Sequence, residues 1–217
     1  MKKRCVIIGA AEISKYKKLK TYLNPPEDFY IFCDNGLSHQ KKLGIDADLI
    51  IGDFDSHSNP LKKAPDLKDK TIILPREKDD TDTVFATKKA LELGFKDFLF
   101  LGVCGQRMDH TLVNISILEF LFAQNVKAKI LDDFSEMEIV GKSAVYVDDS
   151  WKYFSLVNIC GLAQEINIKN AKFPLENATV DFKYQYATSN EVLPGKVAEI
   201  SCGRGNLLLI KVFDSFN

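Results

Sequence analysis

The nine residues Asp48-Leu49-Ile50-Ile51-Gly52-Asp53-Phe54-Asp55-Ser56 decide how the chain is read. An apolar run ends at a glycine, and two carboxylates follow, two residues apart. In an extended segment residues i and i+2 point to the same side, so Asp53 and Asp55 aim at one place. Like charges that close repel unless a cation or protons stand between them. A hard divalent ion with oxygen ligands, such as Mg2+, is the economical partner. Ligands of open α/β sheets gather at the carboxyl ends of strands, and these aspartates stand where a strand should end. Gly, Asp and Ser are also ordinary turn residues, so the stretch by itself reads equally as a surface turn.

Working outward, residues 4–9 form a short apolar run closed by Gly9, which suits a buried parallel strand. Residues 13–23 carry Ile13, Tyr16, Leu19 and Leu23 among lysines, the pattern of a helix with a basic outer face, stopped by Asn24-Pro25-Pro26. Residues 29–33 read as a second strand running into Asp34-Asn35-Gly36, with a short helix over 36–43. After the central strand and a polar loop over 56–69, residues 71–74 read as a strand. A helix follows over 81–93, with Thr81 or Asp82 near its N-cap. A strand over 98–102, an apolar helix over 109–124 and a strand over 127–131 complete an alternation that predicts a mostly parallel sheet with helices on its faces. Beyond Asp132 the texture changes to short β-branched or aromatic runs divided by turn residues, a pattern that predicts an all-β sandwich or barrel. The expected fold is therefore an N-terminal α/β domain, 1–135, followed by a C-terminal all-β sandwich domain, 136–217.

Composition narrows the function. The chain has 217 residues, 46% hydrophobic and 27% charged, the balance of an ordinary globular protein. A formal net charge of -1 offers no broad basic field for nucleic acid. No apolar run approaches the ~20 residues that span a bilayer. Met1-Lys2-Lys3-Arg4 is basic like a signal peptide, but the apolar stretch Cys5–Ile8 is too short for a signal core. The five scattered cysteines contain no C-x-x-C pair; they fit free thiols in a reducing cytoplasm.

Four polar clusters follow strands of the first part: Asp34-Asn35-Gly36, Asp53 to Ser56, Lys78-Asp79-Asp80-Thr81-Asp82, and Gly102 to Asn114. Each alone is accounted for by a turn or a helix cap. Loops leaving strands at one sheet edge, however, converge on one crevice. Acids favour helix N-termini, yet Asp79, Asp80 and Asp82 together with Asp53 and Asp55 exceed what a helix dipole needs and point to a cation. Arg107, beside Gly105 at a helix start, suits bidentate phosphate contact; the plainer alternative is a salt bridge with Asp109 or another neighbour. His110 reads as a cap or packing residue. Acids with an arginine around glycines point to Mg2+ with a polyphosphate.

Gly52-Asp53-Phe54-Asp55-Ser56, Lys78-Asp79-Asp80-Thr81-Asp82 and the stretch from Gly102 through Arg107-Met108-Asp109-His110 resemble, in order and spacing, the GDxDS, DxTD and GxRxDH blocks of the thiamine pyrophosphokinase family. Thr188-Ser189-Asn190-Glu191 resembles its Ser-Asn block. The resemblance implies a homodimer with active sites at the subunit interface. It implies transfer of the β,γ-pyrophosphoryl unit of ATP to the hydroxyl of thiamine, with release of AMP. It places Mg2+ on Asp53, Asp55, Asp79 and Asp82, with Asp53, Asp55, Asp82 and Arg107 as the catalytic set. The nucleotide set is Asp34, Asp79, Thr81, Arg107, Asp109, His110 and Asn114, and Ser189 and Asn190 lie near thiamine. One aspartate of the cluster is expected to accept the alcohol proton. The chain departs from the family where Asn35 replaces a glycine. It also has only Trp151 as a tryptophan, which leaves no obvious ring to stack on thiamine; Phe173 and Tyr186 are the conceivable ones, and both read better as core. A metal-dependent nucleotide phosphohydrolase and a non-catalytic nucleotide or thiamine sensor are the alternatives.

Overall fold

A computed structural model describes residues 2–53, 69–75, 77 and 79–213. Phe54, Asp55, Ser56 and Lys78 of the blocks above lie outside the described residues. The chain divides into two compact units, Met1–Asp133 and Phe134–Asn217.

In the first unit the strands are β1 (Arg4–Ile8), β2 (Asp28–Cys33), β3 (Leu49–Gly52), β4 (Thr71–Ile73), β5 (Asp97–Leu101) and β6 (Lys127–Leu131). They pair in the order β4-β3-β2-β1-β5-β6, all parallel. Cys5 to Ile8 are fully buried and Phe98 to Leu101 nearly so, which explains why these strands are continuous apolar runs rather than alternating ones. The register of β1 against β2 is fixed at its polar end. Arg4, opposite Asp28, makes two 2.8 Å bonds to that buried carboxylate, which also accepts the amide of Asn24 at 2.6 Å.

The helices are α1 (Tyr16–Lys20), α2 (Gln40–Leu43), α3 (Asp82–Glu92) and α4 (Met108–Phe122). Thr81 caps α3, its hydroxyl accepting the Val84 amide at 3.3 Å, and Gly94 ends the turn at φ 88°. The helix expected over 13–23 is only five residues long. The amide and hydroxyl of Ser14 donate to Asp133 at 2.7 Å each and the Lys15 amide at 2.8 Å, which holds the preceding backbone out of the helix. The helix expected over 36–43 is a 3-10 turn over Asp34–His39 continued by α2.

The second unit is a β-sandwich. One sheet is β7 (Ser135–Val140), β13 (Leu207–Val212) and β9 (Tyr153–Val157), with β13 central and antiparallel to both. The other runs in the order β11 (Leu175–Asp181), β10 (Leu162–Lys169), β12 (Val197–Arg204), β8 (Val145–Asp148), also antiparallel. Their inner faces meet in one core in which Val140, Phe154, Leu156, Leu207 and Leu209 face Val147, Ala163, Ile166, Val180, Ile200 and Cys202. Among the described residues no helix is long and apolar enough to cross a membrane.

Candidate active site

Strand order reverses between β1 and β5, where β1 leads outward to β2 and β5 leads the other way to β6. Crevices at the carboxyl edge of such a switch point are where open α/β sheets hold ligands. Here the loops that leave the strands close on one another backbone to backbone. The Gly9 amide donates to Leu101 O and the Ala11 amide to Gly102 O, both at 2.8 Å. A Cβ at Gly36 would collide with the carbonyls of Ile8 and Gly9, the latter at 2.8 Å, and one at Gly52 would stand 2.9 Å from the Asp34 Cα. Glycine at these two positions is what lets the ends of β1, β2 and β3 approach so closely. The start of α3 joins them, with Cys33 Sγ 3.7 Å from Asp82 O.

The consequence is that Asp34, Asp53 and Asp82 reach the same end of the sheet, with Asp34 Oδ1 and Asp82 Oδ1 both buried. Among the described residues no group of three His, Cys, Asp or Glu side chains stands ready to hold a metal ion; Asp55, expected in that set, lies outside them. The donors at this edge are carboxylate oxygens, a chemistry that fits a hard divalent cation such as Mg2+. Asp79 is exposed. Asp80 is held by Lys88 at 2.7 and 2.9 Å, so it serves the helix rather than the crevice.

Asp34 also carries a strained backbone, φ 45°. Asp tolerates this left-handed region better than most residues, and such strain persists where surrounding structure enforces it. Ser189 in the second unit shares the feature at φ 53°.

The loop after β5 is the second element of the crevice. Asn114, buried on α4, donates to Val103 O at 2.8 Å and anchors the loop from below. Thr111 Oγ1 accepts the Gly105 amide at 3.1 Å. Arg107 makes a two-pronged pair with Asp109, Nε to Oδ1 at 2.9 Å and a terminal nitrogen to Oδ2 at 2.6 Å. The pair raises the arginine pKa and holds the Asp109 carboxyl well below the usual carboxylate range. Both partners are exposed, 71% and 63%, so solvent screens the pair and it is easily exchanged for another anion. His110 is exposed.

In the second unit the Ser189 hydroxyl side is exposed, and its amide donates to Ser155 Oγ at 2.9 Å. Asn190 is buried and works as a backbone clasp. Its amide group exchanges two bonds with Phe173, 3.0 Å from Phe173 N to Oδ1 and 2.8 Å from Nδ2 to Phe173 O, while Oδ1 also accepts the Glu191 amide at 2.9 Å. Phe173, expected in the core, is 58% exposed, and Tyr186 41%. The backbone of Phe173 belongs to this clasp, and its ring is left exposed.

A parallel α/β unit with acids at its switch-point edge, followed by a β-sandwich, is the two-domain arrangement of this chain. Residues 21–130 match the model of the thiamin pyrophosphokinase catalytic domain, and residues 143–207 match that of the thiamin pyrophosphokinase vitamin B1 binding domain. The chain belongs to the thiamin pyrophosphokinase family. A curated relative, the thiamine pyrophosphokinase of Bacillus subtilis (strain 168), is 26% identical over 177 residues, 78% of this chain and 82% of the relative. The crystal structure of a thiamine pyrophosphokinase from Bacillus subtilis superposes with a TM-score of 0.86 at 24% identity, covering 98% of this chain and all of the other (100%). One from Geobacillus thermodenitrificans gives 0.83 at 22% identity over 98% and 99%. Yeast thiamin pyrophosphokinase gives 0.74 at 14% identity over 98% and 87%.

The close approach at Gly36 is testable. Gly36→Ala should lower stability in urea by about 1–3 kcal/mol, whereas the exposed Ser38→Ala should stay within about 0.5 kcal/mol of the parent. Equal midpoints for both variants would contradict the contact.

Proposed function

We propose that this enzyme moves the β,γ-pyrophosphoryl unit of ATP to the hydroxyl of thiamine, giving thiamine diphosphate and AMP. The observation that carries the reading is the delivery of Asp34, Asp53 and Asp82 to the switch-point edge, with two carboxylate oxygens buried there. Phosphoryl chemistry asks a protein mainly for alignment and charge stabilisation. Asp53 and Asp82, with Asp55 and Asp79, are the residues that would hold Mg2+; bound there, the ion would offset charge developing on phosphate oxygens. Arg107 supplies a planar cation whose exposed pairing with Asp109 can give way to a phosphate. The amides of the Gly102–Arg107 loop and the start of α4 add donors that favour anions. Asp34 and Thr81 line the nucleotide side, Asn114 holds the loop, and Asp109 and His110 flank it.

For thiamine, Ser189 offers an exposed hydroxyl and Phe173 an exposed ring fixed by Asn190. Thiamine is a cationic heteroaromatic, and such ligands stack on aromatic faces. The reading also includes a homodimer, which light scattering would test. It includes residence in the cytoplasm, which the five free thiols suit.

Purified protein incubated with ATP, Mg2+ and thiamine should produce AMP and thiamine diphosphate in equal amounts. Phosphate release without thiamine would point to a hydrolase instead, and binding without product to a sensor. Asp53→Ala and Asp82→Ala should each cut kcat by about a thousandfold or more, with unchanged circular dichroism; near-normal turnover in either folded variant would remove that residue from the site. Phe173→Ala should raise KM for thiamine about tenfold, roughly 1.4 kcal/mol, and leave KM for ATP where it was. A shift in both constants, or in neither, would deny the ring that place.

A further inference from the structure

His39 has no part in the acid set or the arginine loop, yet its turn begins at Asp34 and its ring bonds to Ala11, whose amide is held by Gly102. Its ring is buried, 7% exposed, on the 3-10 turn that begins at Asp34. Nε2 lies 3.0 Å from the carbonyl of Ala11 and Nδ1 lies 2.7 Å from the hydroxyl of Tyr16. A carbonyl can only accept, so Nε2 carries the proton; in the neutral ring Nδ1 then accepts from the tyrosine. Burial lowers the pKa of this histidine and favours that neutral form.

Ala11 is the junction. Its amide donates to Gly102 O at 2.8 Å, and a Cβ on Gly105 would stand 3.0 Å from its methyl group. Three residues on, Ser14 and Lys15 are fastened to Asp133. The segment Gly9–Lys15 is therefore fastened on both sides of the switch point: to His39 on the side of β2, and to Leu101, Gly102 and Asp133 on the side of β5 and β6. Of these, the His39 bond is the one that reaches back to the turn bearing Asp34.

We propose that His39 is a positioning residue: through the Ala11 carbonyl it sets the Gly102–Arg107 loop in register with the Asp34 turn. It touches no reacting atom. Its kinetic consequence rests on the nucleotide reading given above; its structural consequence does not. Loss of the bond frees Ala11 and lets the loop drift from the acids, so the nucleotide side is affected and the thiamine side is not.

Three variants divide the possibilities. His39→Gln keeps an N–H able to reach Ala11 O, His39→Asn is too short to reach it, and His39→Leu removes all polar function. Amide hydrogen exchange is read first, because it does not depend on turnover. The Ala11 amide should exchange about tenfold faster or more in the Leu and Asn variants, stay within about threefold of the parent in the Gln variant, and leave Val6 to Ile8 unchanged. Steady-state kinetics come second: KM for ATP should rise about tenfold in Leu and Asn, recover largely in Gln, and KM for thiamine should stay within about twofold throughout. Should His39→Leu not fold, the Asn and Gln pair carries the same comparison. Parent-like exchange at Ala11 in the Asn variant overturns the proposal. So does a Gln variant no better than Asn, or a joint rise of both KM values. If the parent makes no thiamine diphosphate, the functional reading fails while the exchange data still decide the role of His39.

Discussion

Everything at the candidate site depends on how closely four loops can approach one another at the carboxyl edge of one parallel sheet. The backbone of Gly36 lies against the carbonyls of Ile8 and Gly9, and that of Gly52 lies against Asp34. A methyl group at either position would push these segments apart, and the acids that follow them would separate. The sheet supplies direction, since parallel strands all deliver their following loops to one edge. The missing side chains supply proximity. Without the first the acids would scatter around the molecule; without the second the ends of β1, β2 and β3 could not lie against one another.

Electrostatics then divides the edge into two characters. Asp34 and Asp82 each bury a carboxylate oxygen. Arg107 and Asp109 are exposed, and their pair contributes little to stability because water screens it. The edge thus combines carboxylate oxygens shielded from water with a solvent-screened ion pair that exchanges readily. Asp80 is a third case: both of its carboxylate oxygens are bonded to Lys88 of α3.

The parallel unit was legible in the sequence because both-face burial writes itself as unbroken apolar runs, such as Cys5–Ile8 and Leu49–Ile51, each ending at a glycine. The sandwich was legible from short β-branched runs and the loss of helical period. What local pattern could not give were features set by distant partners. The helix expected over 13–23 shrank to Tyr16–Lys20 because Asp133, more than a hundred residues away, takes the amides of Ser14 and Lys15. Phe173 was expected in the core, since nothing in its neighbourhood announces that Asn190 will clasp its backbone and leave the ring exposed. His39 went unremarked for the same reason: a lone histidine carries no pattern, and its meaning lies in the carbonyl and hydroxyl the fold brings to it. The acidic blocks were visible as residues, but their convergence depends on glycines whose neighbours only the fold reveals.

The central proposal is that the switch-point edge gathers aspartates from separate strands to hold Mg2+ against a polyphosphate. Crystals grown with Mn2+ in place of Mg2+ and a non-hydrolysable ATP analogue test it most directly, through the anomalous signal of the metal. The account predicts an ion bridging the phosphates with carboxylate oxygens of both Asp53 and Asp82 at about 2.0–2.3 Å. An ion bound with the nucleotide but lying more than about 4 Å from both carboxylates, beyond any coordination distance, would contradict it.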